Sequence, residues 1–378
     1  MTKSNRAVAS IDARALQHNL RQAAELVGTK QLLPVIKANG YGHGLANVAA
    51  AILACDDLPA RLTGCAVAGL SEAATLRDAG WSLPILYLPG FVCAAELAQC
   101  FALELDLVVH SHYQVSLLLA AFAAEPTRGR VRVWLKANTG MNRLGMNEEE
   151  WVAAFKLLKM QQGIELVAMS HLACADDQES SMTHRQLGQF EGLLSEIPTR
   201  TPRSLAASGG ILAWSHTHYD IVRPGIMLYG SSPFAERSAE ELGLKPVMTL
   251  RSRLIALNEI KKGDTVGYGA AFTAVTAMRL GVVSIGYGDG YPRKAPTGTP
   301  VLVSTSAGLV RTRLIGRVSM DMITIDITGL DCALDAEVVL WGEGLPADEI
   351  AAACGTIAYE LFCQVTLRVP REVVGTIE

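Results

Sequence analysis

Short apolar runs rich in β-branched residues recur along the first two thirds of the chain: LLPVIK (32–37), GCAVAGL (64–70), PILYLPG (84–90), LDLVVH (105–110), VRVWLK (131–136), ELVAMSH (165–171), SLAASGG (204–210) and IVRPGIMLYG (221–230). Most of the gaps hold Ala- and Leu-rich stretches that read as helices, such as LANVAAAILA, SEAATLRDAG and EEEWVAAFKLLKM. The last opens with acidic residues, which suit a helix N-terminus. Strand–helix alternation over roughly 230 residues predicts an α/β fold of the (β/α)8 TIM-type barrel class, whose usual size is about 250 residues. Ahead of the first run, ARALQHNLRQAAELV reads as an extra amphipathic helix.

Past residue 245 the pattern changes to short alternating runs cut by Gly, Pro and Asp turns: LKPVMTLRSRLIALNEI, RLGVVSIGYGDGYP, VLVSTSAGLVRTRLIG, MITIDITG and AEVVLWGE. This predicts a separate, mainly β C-terminal domain. The polar, turn-rich junction SSPFAERSAEELGLKP (231–246) suits an interdomain boundary. The expected division is a barrel over 1–240 and a second domain over 241–378.

Composition adds mostly exclusions. The chain has 378 residues, 50% hydrophobic and 19% charged, with a formal charge of −4, and no basic patch or tail suggests nucleic acid as a partner. MTKSNRAVASID lacks the apolar core of a secretion signal, and no run reaches the roughly 18 uncharged apolar residues of a membrane span. A cytoplasmic location is therefore expected. Cysteines 55, 65, 93, 100, 174, 332, 354 and 363 form no C-x-x-C pair, so buried free thiols are expected rather than disulfides or a zinc knuckle. The pairs His110/His112 and His216/His218 have no accompanying third-ligand cluster, so no metal site is assigned to them.

The stretch PVIKANGYGHG (34–44) carries the chemistry. A phosphate-binding P-loop needs its lysine after the glycines, and a Rossmann fingerprint needs GxGxxG; here Lys37 precedes Gly40, Gly42 and Gly44 in a GxGxG pattern. Lys37 instead ends the first barrel strand, at the face where barrel active sites form. A partly shielded lysine there can lose its proton and form a Schiff base with an aldehyde.

With this stretch in place, the sequence resembles the alanine racemases, pyridoxal 5′-phosphate enzymes built from a (β/α)8 barrel and a β-rich second domain. The resemblance runs from AVASIDARALQHNL to LRVPR and rests on PVIKANGYGHG, KANTGMNRLG (136–145), VRPGIMLYG (222–230), VGYGAAF (266–272), IGYGDGYPR (285–293) and GRVSMDM (316–322). It implies interconversion of L- and D-alanine by two bases acting through a cofactor imine. Lys37 and Tyr268 are the implied bases. Their types have reference pKa values of about 10.4 and about 10, so both need surroundings that favour the deprotonated form. His171, linked to Arg223, is implied to assist Tyr268, and Arg223 to donate to the pyridine nitrogen. Tyr41, Ser208, Tyr359 and the amides of Gly209, Gly225 and Ile226 are implied to bind the phosphate. Arg143 and the backbone of Met320 are implied to meet the substrate carboxylate, with Tyr287 and Asp321 nearby and Lys136, often carbamylated in the family, orienting Arg143.

Two positions depart from the family pattern. Gly40 stands where alanine is common and should loosen the loop slightly. Asn138 stands where aspartate is common and removes a charge near Lys136 and Arg143. Because Lys37 and Tyr268 lie in different domains yet must flank one Cα, the resemblance implies a head-to-tail homodimer with two shared sites. A broad-specificity amino-acid racemase remains the alternative enzyme. A pyridoxal-phosphate carrier is the non-enzyme alternative, although such proteins lack the VGYGAAF block.

Overall fold

The computed structural model describes residues 6–375 apart from 56, 59, 60 and 128. Strand β1 (Ala7–Asp12) leads directly into the helix Ala13–Val27, whose N-cap Asp12 accepts the Ala15 amide at 3.0 Å. Eight parallel strands follow: β2 (Gln31–Leu32), β3 (Cys65–Val67), β4 (Ile85–Tyr87), β5 (Leu105–Val109), β6 (Val131–Lys136), β7 (Ile164–Met169), β8 (Arg203–Ser204) and β9 (Ile221–Val222). Strands β3 to β8 form one continuous sheet, and β2 pairs with β9. Parallel bridges Leu32–Leu62, Val35–Ala66 and Ala207–Arg223 join the two pieces into a closed barrel. Each strand falls within, or at the edge of, one of the eight apolar runs.

Helices between the strands form as their residues dictate. In Glu148–Met160 the Asn147 side chain accepts the Glu150 amide at 3.0 Å and Glu150 returns the contact to the Asn147 amide at 3.2 Å, a reciprocal cap. Trp151, Ala154, Phe155 and Leu158, spaced at one helical face, are its buried residues. Truncating Trp151, which is fully buried, would cost about 3–5 kcal/mol.

The second domain comprises β10 (Met248–Ile260), β11 (Thr265–Val266), β12 (Phe272–Thr273), β13 (Met278–Val283), β14 (Pro300–Thr305), β15 (Gly308–Ile315), β16 (Ile323–Asp326), β17 (Glu337–Trp341) and β18 (Arg371–Val374). Its main sheet runs β13-β16-β15-β14-β17-β10-β1-β18, and a further β13–β10 pairing closes six of these strands on themselves. Strand β10 serves both sides because a register shift between Leu254 and Ala256 redirects its second half to β13.

One expectation is corrected. Residues 7–12, assigned by sequence to the barrel half, belong to the second sheet: β1 pairs antiparallel with β10 and parallel with β18. Ala7, Ala9 and Ile11 alternate into that core, where their partners lie far away in sequence. The cysteines also differ: none forms a disulfide, but Cys93 and Cys363 are exposed and Cys174 and Cys354 only partly covered. Among the described residues, no helix is long and apolar enough to cross a membrane.

Candidate active site

The C-terminal ends of the barrel strands converge on one mouth, and the residues expected there arrive from separate strands. Lys37 follows β2, Lys136 ends β6, His171 follows β7, Ser208 follows β8 and Arg223 follows β9. Lys37 is half-buried, and burial, followed by the charge of Arg143, lowers its pKa. Lys136 is 8% exposed. Burial pushes it down to about 8, with Arg223, Arg143 and Lys37 adding to the shift. Cations therefore crowd this mouth, which favours an anionic ligand.

Arg223 is 2% exposed and, among the described residues, touches no carboxylate. Its guanidinium donates to Ser204 Oγ at 2.5 Å, to the carbonyls of Ser170 at 2.8 Å and Leu205 at 3.1 Å, and to His171 Nδ1 at 3.2 Å. Burial lowers its pKa to about 10, so it stays charged at neutral pH. A guanidinium has no acceptor, so His171 Nδ1 must accept and the imidazole proton sits on Nε2. Burial and then the Arg223 charge lower the His171 pKa well below its ordinary value, which keeps the ring neutral.

The segment after Lys37 has a conformation the sequence did not reveal. Ala38, Asn39, Gly40 and Tyr41 have φ of 53°, 55°, 62° and 49°, a left-handed turn closed by Gly40 N–H to Ile36 O and Gly42 N–H to Ala38 O, both 2.9 Å. For each of the three non-glycine residues this costs about 1–2 kcal/mol. Gly40, expected to loosen the loop, instead relieves strain: an added Cβ would approach Val48 Cγ2 to 2.7 Å, at a backbone angle that disfavours any L side chain.

The turn buries Tyr41 against Tyr229, the rings stacked at 4.6 Å. Its hydroxyl faces Gly225, where an added Cβ would lie 3.0 Å from Tyr41 Oη and 3.9 Å from Ser208 Oγ. Ser208 Oγ accepts the amides of Gly225 at 3.0 Å and Met227 at 3.3 Å. Gly209 sits in the first turn of the helix Ser208–Ala213 and Ile226 begins the 3₁₀ turn Ile226–Tyr229, positions whose amides have no acceptor within their own helix. Tyr359, on the helix Ala358–Gln364 of the second domain, has its ring 5.9 Å from that of Tyr41. That helix presses on the same turn, since a side chain on Gly42 would collide with the Phe362 carbonyl. Burial pushes both phenols up, so both remain hydrogen donors. Hydroxyls, helix-start amides and a side-chain-free cradle are the groups suited to an oxyanion.

The other expected residues stand apart, on the second domain. Tyr268 is 70% exposed, in a turn between β11 and β12 whose glycines 267 and 269 take φ of 73° and 70°. Met320 is 52% exposed, and its carbonyl accepts the Gly288 amide at 2.8 Å, tying it to the Tyr287 turn. Among the described residues, no hydrogen bond or ring contact joins Tyr268 to the barrel mouth. Asp321 pairs with Arg368 at 2.7 Å and Arg6 at 3.4 Å, and the Arg368 hydrogen bond holds its carboxyl below the usual range. Buried Asp289 lies between the same arginines, 3.3 Å from Arg368 and 3.7 Å from Arg6. This four-residue network, which clamps the Tyr287 and Met320 loops together, escaped sequence reading because it joins the two chain ends. Glu72 and Ser204, which brace Lys37's turn and Arg223, carried no local motif either.

The sequence matches the alanine racemase N-terminal domain over residues 11–233 and the alanine racemase C-terminal domain over residues 247–373. It is 48% identical to an alanine racemase of Alcanivorax borkumensis, over 95% of this chain and 97% of that one. The crystal structure of the biosynthetic alanine racemase of Pseudomonas aeruginosa superposes with a TM-score of 0.91 at 44% identity, covering 98% of this chain and 99% of that one. An alanine racemase of Bartonella henselae, solved with covalently bound pyridoxal phosphate, superposes at 0.84 with 28% identity, covering 97% and 99%. With both domains matched in order and nearly the whole length aligned at this identity, the chain belongs to the alanine racemase family.

Proposed function

We propose that the protein interconverts L- and D-alanine with pyridoxal 5′-phosphate as cofactor, in a homodimer whose two active sites are shared between subunits. The observation that carries this reading is that one left-handed turn brings the Lys37 amine and the Tyr41 hydroxyl to the same barrel mouth, the latter aimed into a cradle that lacks a Cβ at Gly225. These residues fit the cofactor. Lys37 would bind its aldehyde carbon; Tyr41, Ser208, Tyr359 and the amides of Gly209 and Ile226 its phosphate, with the Gly225 amide instead holding the Ser208 hydroxyl in place; and Arg223, with His171 beside it, its ring nitrogen. The covalently held cofactor of the Bartonella henselae relative supports the same reading. When bound, the cofactor supplies an electron sink for the bond to the departing Cα hydrogen.

The remaining chemistry belongs to side chains. Inverting Cα requires a proton to leave one face and another to reach the opposite face, hence two bases. Lys37 serves one face, and its lowered pKa enlarges the neutral amine fraction. Tyr268 of the partner subunit serves the other. The exposure of Tyr268 and Met320 in a single chain supports their delivery to a second copy. His171 Nε2–H, fixed by Arg223, donates to the phenolate and stabilises it without taking up its proton. Since Arg223 keeps its protons, the ring nitrogen facing it stays unprotonated, which restrains side reactions. Arg143 forks onto the substrate carboxylate with the Met320 amide of the partner subunit, and Tyr287 and Asp321 of the partner subunit border that end. Lys136, with a pKa near 8, attacks carbon dioxide as a neutral amine: an N–C bond forms, a proton leaves, and the resulting carbamate anion orients Arg143.

Borohydride reduction of the holoenzyme followed by peptide mass mapping should find a pyridoxyl group on Lys37, and chiral analysis should show D-alanine formed from L-alanine. An adduct elsewhere, or racemisation undiminished after Lys37→Ala, would overturn the assignment.

A further inference from the structure

Glu72 lies in the first turn of the helix Leu70–Asp78, where an acidic residue is ordinarily explained by capping. Its reach goes further. Oε2 accepts the amides of Ala68 and Gly69, each at 3.0 Å, as a cap does. Oε1 accepts the amide of Asn39 at 3.0 Å, across 33 positions of sequence. Asn39 is the centre of the left-handed turn, two residues after Lys37 and two before Tyr41. The carboxylate thus staples the strained turn to the rim of β3. Other side chains hold the flanks: His43 Nδ1 donates to the Tyr41 and Gly40 carbonyls at 2.8 and 3.1 Å, and Arg371 Nε to the Gly42 carbonyl at 3.0 Å.

We propose that Glu72 is a positioning residue for Lys37 and Tyr41, acting through the left-handed turn that joins them. The inference rests on Lys37 being the cofactor-bearing lysine. Lys37 and Tyr41 grip opposite ends of one rigid molecule, so the angle of the turn decides whether aldehyde and phosphate are held together or one at a time. Holding both at once is worth far more than the separate contacts, because the second contact forms within an already bound molecule. Three amides on two oxygens also require a carboxylate. A glutamine has one acceptor oxygen and keeps the cap or the staple, not both.

The test compares wild type, Glu72→Gln and Glu72→Ala by four measurements: affinity for pyridoxal phosphate, affinity for pyridoxal lacking the phosphate, kcat and KM for alanine, and the thermal midpoint of the apoprotein. Glu72→Ala should bind pyridoxal phosphate about tenfold or more weakly while pyridoxal affinity changes by less than about threefold. Its kcat per bound cofactor should fall about tenfold with KM for alanine within about twofold; normalising to bound cofactor removes any unfolded fraction, which would lower apparent kcat with KM unchanged. Glu72→Gln, which retains either the cap or the staple, should lie between and guards against a variant that fails to fold. An unchanged ratio of the two affinities in both variants sinks the proposal. Borohydride mapping of the wild type separates this failure from a wrong cofactor lysine: an adduct on Lys37 with an unchanged ratio condemns Glu72 alone, and an adduct elsewhere condemns the underlying reading.

Discussion

Asn138 and Asn142 face each other across the loop after β6, with Asn138 Nδ2 donating to Asn142 Oδ1 at 2.9 Å while Asn138 Oδ1 takes the amides of Gly140 at 3.1 Å and Asn142 at 3.0 Å. The loop that carries Arg143 is therefore closed by a neutral side chain. No added negative charge supports the Lys136 ammonium, which already faces Arg223, Arg143 and Lys37. The nucleophile toward carbon dioxide is the neutral amine, which becomes the majority form above the pKa of about 8. Carbamate formation should therefore rise with pH through that value, followed by 13C NMR of protein equilibrated with labelled bicarbonate. Asn138→Asp keeps both backbone acceptors and, by favouring the ammonium, should move the rise to higher pH. No carbamate signal at any pH, or the same onset in the variant, would count against this account.

The barrel was legible because each strand is a compact apolar run followed by a helix, and strand-end residues such as Lys37, Lys136 and Arg223 inherit their location from that pattern. The left-handed turn was not legible. Ala38 and Tyr41 have no intrinsic preference for positive φ and Asn39 only tolerates it, and the turn is held by Glu72 and Arg371 from distant segments together with nearby His43. Strand β1 was missed for the same reason, since its register is set by Ser252 and Arg371 rather than by its neighbours. Local periodicity shows which face of an element is buried but not what buries it.

Gly225 offers a direct test of the phosphate cradle. Gly225→Ala would place a new methyl 3.0 Å from Tyr41 Oη. Tyr41 cannot retreat easily, being stacked on Tyr229. The variant should bind pyridoxal phosphate about tenfold more weakly, equivalent to about 1.4 kcal/mol, read by titration of the apoprotein. Undiminished affinity would remove the cradle from the cofactor site.

His43 should make the fold sensitive to acid. The ring is fully buried between Tyr229 and Phe362, its Nδ1–H donates to two carbonyls, and Nε2 has no partner. Burial lowers its pKa from 6.5 to about 4, only partly offset by those bonds. Because the folded value lies below the unfolded one, stability is complete above pH 6.5 and declines as pH falls toward about 4, where the unfolded chain binds a proton that the folded chain refuses. The whole decline attributable to this group is about 3 kcal/mol. His43→Gln retains an amide donor but does not titrate, so the stability difference between wild type and variant should shrink across that interval in urea unfolding series. Parallel pH curves for the two proteins would exclude the effect.

Sharing of sites between subunits makes a quantitative prediction. Lys37→Ala and Tyr268→Phe should each lower racemisation by about a hundredfold or more, as expected for loss of a proton-transfer group. If Lys37 of one subunit works with Tyr268 of the other, a mixed dimer of the two variants contains one site with both native residues and one site with neither. Equal co-expression gives mixed dimers as about half of the population, each with one working site of two, so activity should recover to about a quarter of wild type. If both residues served a site within one chain, every site in the mixture would lack one base and activity would stay at the level of the single variants. Native mass spectrometry supplies the control by counting mixed dimers. Abundant mixed dimers without recovery would mean that Tyr268, exposed as it is on the second domain, does not act across the subunit boundary.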